Sequence, residues 1–427
     1  MNTDFRDYDE LTIRAVPSSA ALSREYQETV KKITFADYEK LPYADSGRYL
    51  KKLSLKLNKR EYEQIRVIKL MLTPEKGWVG YVTEERAFRE ITEQGGAVPT
   101  RIIDLDDNIG IVGMAMEPEG NQVVYSAAVF DVSDLDIIKE LRLDEHKDIP
   151  IRYANLQGFR LDGGKGIQHI TDENFLDMYP SYTQDGKYLI FCSNRLRPGM
   201  MDILRTSADG RGGITNIYTD TRGARAVYPS QSTDGTIAFA IYPKDWRKPG
   251  EVQIWTIGGS NHFPTQVALG IQPKISPDGT HIAYIGLDGN LWVAGVDGRG
   301  ATQLTSKAQF ILSQFKKSLR DVELAQFKEY EKQGTLLRHY HPYSFPSWSP
   351  DGKHILYTSM EGVDPTGRPN DNIYIMSVDG RNQQQLTTNG SVDRYPMMSP
   401  DQEYVYFMSN RGLKWAIWRI RAPRGIN

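Results

Sequence analysis

Residues 344–359, SFPSWSPDGKHILYTS, hold the run Ser349-Pro350-Asp351-Gly352 between a tryptophan and a stretch of mostly apolar residues. Proline presets φ for a turn, aspartate supplies a side-chain acceptor, and glycine takes the φ > 0 position, so the run closes a tight hairpin between two strands. Variants of the phrase recur as GMAMEPEGNQVVYS from 113, YPSYTQDGKYLIFCSNR from 179, YPSQSTDGTIAFAIY from 228, QPKISPDGTHIAYIG from 272 and YPMMSPDQEYVYFMSNR from 395. The turn aspartates Asp185, Asp234, Asp278, Asp351 and Asp401 stand about 45 to 50 residues apart, except for one interval lengthened by an insertion. A period in that range marks a propeller or an array of repeats.

The strand after each turn (YLIFCS, TIAFAI, HIAYIG, HILYTS, YVYFMS) is apolar on both faces rather than alternating, as a strand covered on both sides must be. A second strand follows, as in MDILRTSADG from 201, VQIWTIGGS from 252, GNLWVAGVDG from 289 and DNIYIMSVDG from 371. It ends in another glycine turn, and TQLT at 302 or QQLT at 384 then gives a polar outer edge suited to solvent. Each unit therefore reads as a four-stranded antiparallel blade with two apolar faces. Such blades hide both faces by packing radially around an axis. The expected fold is an all-β six-bladed β-propeller over residues 105–424, with a small N-terminal α/β region over 1–104 and a helical insertion, 306–340, between blades four and five. A seventh blade built from EQIRVIKLMLTPEKGWVGYVTE, 63–84, is the alternative count.

Outside the repeat, SSAALSREYQETVKKI reads as a helix opened by Ser18 or Ser19, and SGRYLKKLSLKL as a helix or an amphipathic strand. QIRVIKLML and GWVGYVTE read as strands, and ERAFREITEQGG as a short helix or further strand. In the insertion, Ile311, Phe315, Leu319 and Val322 recur at helical spacing between charges, with Gly334 as the stop, which predicts one long helix or a helical hairpin. That apolar stripe either packs on the propeller or binds a partner.

Composition narrows the function. A net charge of −2, with both signs mixed, leaves no basic field to draw in nucleic acid or anionic lipid. The single cysteine, Cys192, excludes an internal disulfide framework and reads as a small buried apolar residue. No apolar run approaches the roughly 18 residues a membrane-spanning helix needs, and MNTDFRDYDE lacks the layout of a secretory signal. No G-x-S-x-G nucleophile elbow occurs, and LDGGKGIQH lacks the spacing of a phosphate-binding loop.

The pattern Y/F-P-x-W-S-P-D-G-K-x-I-x-Y-x-S-x-R, followed by D-I-Y-x-M-x-x-D-G and Q-L-T, resembles the WD40-like repeat of the TolB family, the periplasmic propellers of the bacterial Tol-Pal system. The resemblance covers about 250 to 300 residues. It implies a periplasmic, non-enzymatic scaffold of the cell envelope that binds a protein partner such as a lipoprotein or a membrane-complex subunit, without a cofactor. The same repeat occurs in pectin-degrading lyases, which hold a metal on central histidines. The alternative is therefore a carbohydrate-active propeller, a metal-dependent lyase or a glycan binder; His339 and His341, two apart in LRHYHPYSFP, would share one face of a strand, and they are its candidate metal ligands. A third reading is a structural subunit of a larger envelope complex. Tyr179, Tyr228, Phe345 and Tyr395 each precede the inner-strand proline, with Arg225 and Arg394 upstream. In a propeller they ring the mouth of the axial channel, and they are the expected partner-binding residues, alongside the stripe of the inserted helix. Arg195 and Arg411, in the repeated SNR, are expected to hold turns.

Overall fold

The computed structural model describes Glu10–Ala15, Thr29–Thr34, Tyr49–Leu53, Gln64–Thr73 and Gly77–Ala87, and then residues 99–423 apart from 106–108, 131–150, 162–165, 245–251, 260, 320, 364–367, 389 and 411–414. The chain divides into two compact units. The first contains β1 (Glu10–Ala15) paired antiparallel with β2 (Thr29–Thr34), and a sheet in which β4 (Gln64–Thr73) lies between β3 (Tyr49–Leu53) and β5 (Gly77–Ala87). Thr29–Thr34, placed by the sequence at the end of a helix, is a strand, and its two β-branched threonines, valine and isoleucine suit one. The strands of the seventh-blade alternative belong to this unit, whereas every later element belongs to the second.

The second unit is all-β and propeller-like, with helices in one place. Its strands open with β6 (Thr100–Asp104), β7 (Ile109–Met116), β8 (Gln122–Phe130), β9 (Ile151–Arg160) and β10 (Gln168–His169). Next come β11 (Met178–Tyr182), β12 (Tyr188–Ser193), β13 (Asp202–Ser207) and β14 (Thr215–Tyr218), and then β15 (Arg225–Gln231), β16 (Ile237–Tyr242), β17 (Gln253–Gly258), β18 (Asn261–Ile275), β19 (His281–Gly286), β20 (Leu291–Gly295) and β21 (Thr302–Gln303). After the helices follow β22 (Tyr343–Trp348), β23 (His354–Val363), β24 (Pro369–Ser377), β25 (Gln384–Gln385), β26 (Asp393–Met398), β27 (Tyr404–Ser409) and β28 (Ala416–Arg421). They form antiparallel sheets of four, β7 to β10, β11 to β14 and β22 to β25, a sheet β26-β27-β28-β6, and one of seven, β15 to β21.

Two of these sheets differ from a simple meander. The seven-stranded sheet exists because β18 serves twice: Asn261–Leu269 pairs with β17, and Gly270–Ile275 pairs with β19. No loop separates the two halves. Gly270 sits at the junction, where a Cβ would come 2.3 Å from the carbonyl oxygen of Ile285. In the last sheet the outermost strand is β6, from the start of the unit, in register Ile417↔Ile103 and Ala416↔Asp104 with β28. Thr100–Asp104, which the sequence assigned to the N-terminal region, thus ties the beginning of the unit to its end. The innermost strands β7, β11, β15, the second half of β18, β22 and β26 touch in that order, and β26 returns to β7. Ring closure removes the free edges that an open array of such sheets would expose.

Apolar faces decide the packing. In β12 every residue after Tyr188 is buried, as are Leu189 through Cys192 on both faces, and β27 repeats this with Val405 through Met408. Cys192 is a buried free thiol, pushed well above the ordinary cysteine value by burial. The turn aspartates act as expected. Asp278 accepts from Ser276 Oγ at 2.6 Å and from the backbone N–H of Thr280 at 3.0 Å, while Ser276 Oγ accepts the N–H of His281 at 2.9 Å. The same set recurs at Ser349-Asp351, Ser399-Asp401 and, with threonine, Thr183-Asp185.

Between β21 and β22 lie α1 (Ala308–Ser318), α2 (Asp321–Gln333) and the short α3 (Leu336–His339). Lys316 and Lys317 in the last turn of α1, and Asp321 and Glu323 in the first turn of α2, complement the helix dipoles. Ile311 and Phe315 are buried in one cluster with Leu291, Tyr343 and Tyr374 of the flanking sheets, and Leu319 packs against it. The stripe therefore fastens the helices to the propeller instead of facing a partner; the side chain of Val322 lies outside the described residues. Phe315 packs on Phe327 and Tyr340 at 6.5 and 5.2 Å, with the Arg368 guanidinium 5.2 Å from its ring centre. Among the described residues no helix is long and apolar enough to cross a membrane.

Phe315→Ala empties a fully buried aromatic site, and urea unfolding should show a loss of about 3–5 kcal/mol; a loss below about 1 kcal/mol would mean the helices are not fastened there. Hydrogen bonds from Ser276 and then Thr280 hold the Asp278 carboxyl below its ordinary value. A depressed carboxylate stabilises the fold above its unfolded-state pKa and stops doing so as pH falls through the folded one. The destabilisation caused by Ser276→Ala should therefore be full at neutral pH and shrink as pH drops below about 4, measured by urea unfolding at several pH values.

Candidate functional site: the axial cavity

Each inner strand carries a residue in the left-handed region followed, in all but the first, by proline. The residues are Gly113 (φ 103), Tyr179 (φ 55), Tyr228 (φ 57), Gln272 (φ 55), Phe345 (φ 52) and Tyr395 (φ 55). A residue before proline is normally pushed to extended backbone, and a bulky residue at positive φ costs of order 1–3 kcal/mol. The β-ladder explains how the fold holds them there. At each of these points the register slips, for example between Val227 and Ser230 and between Ser344 and Ser347, so a bulge accommodates the proline, which has no N–H to give to a ladder bond. In the first inner strand glycine is obligatory, because a Cβ on Gly113 would lie 2.8 Å from the Cα of Tyr179.

These bulges surround one cavity of about 320 Å³, lined by residues of all the inner strands. The rings pair across neighbouring strands. Tyr179 and Tyr228 lie 4.1 Å apart between centroids, with the Tyr228 hydroxyl donating to that of Tyr179 at 3.3 Å; Phe345 and Tyr395 lie 4.0 Å apart. Burial, and then the neighbouring Tyr179, raises the Tyr228 hydroxyl well above its ordinary value, so it stays neutral. Gln272 replaces the aromatic between the two pairs, and its Oε1 accepts the backbone N–H of Phe345 at 2.6 Å.

Two residues past each left-handed position the inner strands place Ala115, Ser181, Ser230, Lys274, Ser347 and Met397. Two of these serines tie neighbouring strands together: Ser347 Oγ donates to the Pro396 carbonyl at 2.7 Å, and Ser230 Oγ accepts the Ile275 N–H at 3.2 Å. Lys274 stands in this slot with a full cationic side chain on the cavity wall. Desolvation alone draws its amine down to about 8. Its ammonium has no hydrogen-bond or ion-pair partner among the described residues. The other charged residue of the lining, Glu117, keeps its Oε2 buried and unpartnered, as does Gln231 its Oε1.

The other residues singled out in the sequence fall in different places. Arg394 is not a rim group. It is 5% exposed and its Nε and Nη2 meet Asp371 Oδ2 at 2.7 and 2.6 Å, because the strand direction turns it into the sheet stack rather than toward the channel. Arg225 is exposed at the start of β15, three residues before Tyr228. Arg195 is structural, gripping the fully buried Asp177 at 3.0 and 2.7 Å with Glu173 as a second partner; Arg411 lies outside the described residues. His339 and His341 do not share a strand face. His339 ends α3 and stacks on Tyr330 at 3.6 Å and 9°, and His341 lies in the link to β22. Among the described residues no group of three or more His, Cys, Asp or Glu is placed to hold a metal ion. Lys274 was missed in the sequence; the signal was present in QPK, where three other units read YPS or FPS and none places a charge at the third position.

No family model matches the chain. Among solved structures it is similar to an oligogalacturonate lyase from Vibrio parahaemolyticus at 11% identity, covering 79% of this chain and 97% of that one, TM-score 0.47. It is also similar to a gluconolactonase from Xanthomonas campestris, at 15% identity, 78% and 92% coverage and TM-score 0.48. TolB from Acinetobacter baumannii is a third such structure, at 13% identity, 91% and 83% coverage and TM-score 0.45.

Reductive methylation with isotope-labelled formaldehyde gives each lysine an NMR-visible methyl signal. The signal absent from Lys274→Met should titrate near pH 8, well below the ordinary lysine value of about 10.4; an ordinary titration would place the amine in water rather than in the cavity wall.

Proposed function

We propose that this chain is a six-bladed propeller of the bacterial cell envelope that works without catalysis, binding a protein partner at the axial cavity. Dividing the seven-stranded sheet at Leu269-Gly270 supports that blade count, because each repeat then has its own inner strand and left-handed residue. The observation that carries the binding reading is the ring itself. Backbone strain is concentrated at the positions that present Tyr179, Tyr228, Phe345 and Tyr395 to one cavity, and strain held in place by surrounding structure is characteristic of functional sites. Paired aromatics with a nearby polar group are the composition of protein-binding hot spots. The repeat's resemblance to the TolB family supports a periplasmic location and a lipoprotein or membrane-complex subunit as the partner. Arg225, exposed above Tyr228, would extend the contact outside the cavity.

The lyase form of the carbohydrate-active alternative needs a metal, and the histidines named for it do not share a strand face: one ends a helix stacked on a tyrosine, the other lies in a link. The inserted helices offer a second surface at Phe310, 63% exposed on α1.

A photo-crosslinking residue at Phe345 or Tyr395 in the full chain, expressed in its native cell envelope, should capture one protein. Tyr179→Ala should weaken that capture by roughly tenfold or more, the effect of losing one aromatic anchor. Capture only from position 310 would move the interface to the helices. Stoichiometric manganese that is lost in His341→Ala, with cleavage of oligogalacturonate, would replace this reading with the enzymatic one.

A further inference from the structure

We infer that the axial cavity takes a carboxylate carried on a segment of the partner polypeptide, with Lys274 as its counter-ion. The inference rests on the partner-binding reading above and gives that site its chemistry.

Its first support is the break in the repeat. At the slot two past the left-handed residue the other inner strands carry alanine, serine or methionine, none charged, and Ser230 and Ser347 tie neighbouring strands. Lysine there forgoes that tie and puts a half-buried cationic side chain on the cavity wall, a cost that a stable propeller does not require. Local choices that break a rule without structural compensation are expected at functional positions. The neighbouring slot breaks the pattern in the same strand, since Gln272 stands where four units have an aromatic ring. Both departures therefore lie on the second half of β18.

The second support is charge matching. The lining carries one cation, Lys274, and one carboxylate, Glu117, and burial is the sole cause that lowers the lysine, so the two do not pair. A monoanion at Lys274 neutralises it. A phosphate dianion would bring an uncompensated charge into a cavity that already holds Glu117. The third support is the set of vacant acceptors. Gln231 Oε1 and Glu117 Oε2 are buried on the same lining without a donor. A polypeptide supplies N–H donors for these acceptors together with the carboxylate for the amine, and apolar side chains for the paired rings; a simple acid supplies only the carboxylate. Cavities of about 300 Å³ and upward accommodate such small ligands or a few residues of chain.

Isothermal titration of the full-length protein with acetyl-Gly-Trp-Gly, as the free acid and as the C-terminal amide, tests the inference. The acid should bind roughly tenfold or more tightly than the amide, about 1.4 kcal/mol. Lys274→Met should remove that preference, Lys274→Arg should keep part of it, and acetate alone should bind far more weakly than the tripeptide acid. Equal binding of acid and amide to the wild type, both weakened by Tyr179→Ala, would overturn the carboxylate while leaving the cavity a protein-binding site. Binding of neither peptide, or tighter binding of inorganic phosphate than of the tripeptide acid, would overturn the inference outright. The crosslinking experiment reads independently of all of these. If Lys274→Met fails to fold, the acid-to-amide ratio on the wild type and on Lys274→Arg still decides.

Discussion

A sheet that is apolar on both faces cannot be stable alone, and every repeat of this chain makes such a sheet. Leu189 through Cys192, Ala238 through Ile241, Ile355 through Tyr357 and Val405 through Met408 are all buried, on odd and even positions alike. Each sheet must have a neighbour on both sides, and the neighbours' own outer faces need covering in turn. A ring satisfies that demand with a finite number of copies. The rest of the molecule follows from it: the strand β6 brought back to β28 to close the last sheet, the continuous β18 running between two units, and the inner strands converging on an axis.

Convergence creates its own difficulty, because strands that meet at an axis crowd one another. The bulge at each X-Pro step turns the inner strand sharply, and it sets one residue per strand at positive φ. The large rings at those points fill the axis in pairs, Tyr179 with Tyr228 and Phe345 with Tyr395. Where Gly113 meets Tyr179 there is room for no side chain at all. The cavity is what remains after this crowding is resolved, and its chemistry is set by the few positions that depart from the common pattern, above all Gln272 and Lys274. Three buried carboxylates elsewhere in the unit are neutralised locally. Asp177 is held by Arg195, Asp202 by Arg197 and Asp371 by Arg394, whereas the ammonium of Lys274 has no such partner among the described residues.

The sequence made the repeat legible because its cause is local. A Ser/Thr-x-Asp turn is held by hydrogen bonds within five residues, and two-sided apolarity is read directly from a strand. The aromatic ring around the axis was legible for the same reason, since Tyr179, Tyr228, Phe345 and Tyr395 occupy one slot of a fixed phrase. The role of Arg394 was not legible, because its partner Asp371 lies 23 residues away on the preceding sheet and only packing brings the two together. The helical stripe was legible as a stripe, but which surface it would cover was not: Phe315 joins Tyr340, Tyr343 and Tyr374 in a cluster that only the packing of the helices on the sheets assembles.

The sequence alone therefore determined the unit, its turns, its two greasy faces and the need for radial packing, since these depend on neighbours along the chain. The tertiary structure decided which side chains share the axis, that residues 100–104 close the ring, that His339 and His341 do not share a strand face, and that one lysine faces a cavity without a partner among the described residues. Those outcomes depend on distances between strands far apart in sequence. Pairwise charge and desolvation are functions of such distances, which a linear string of residues does not contain.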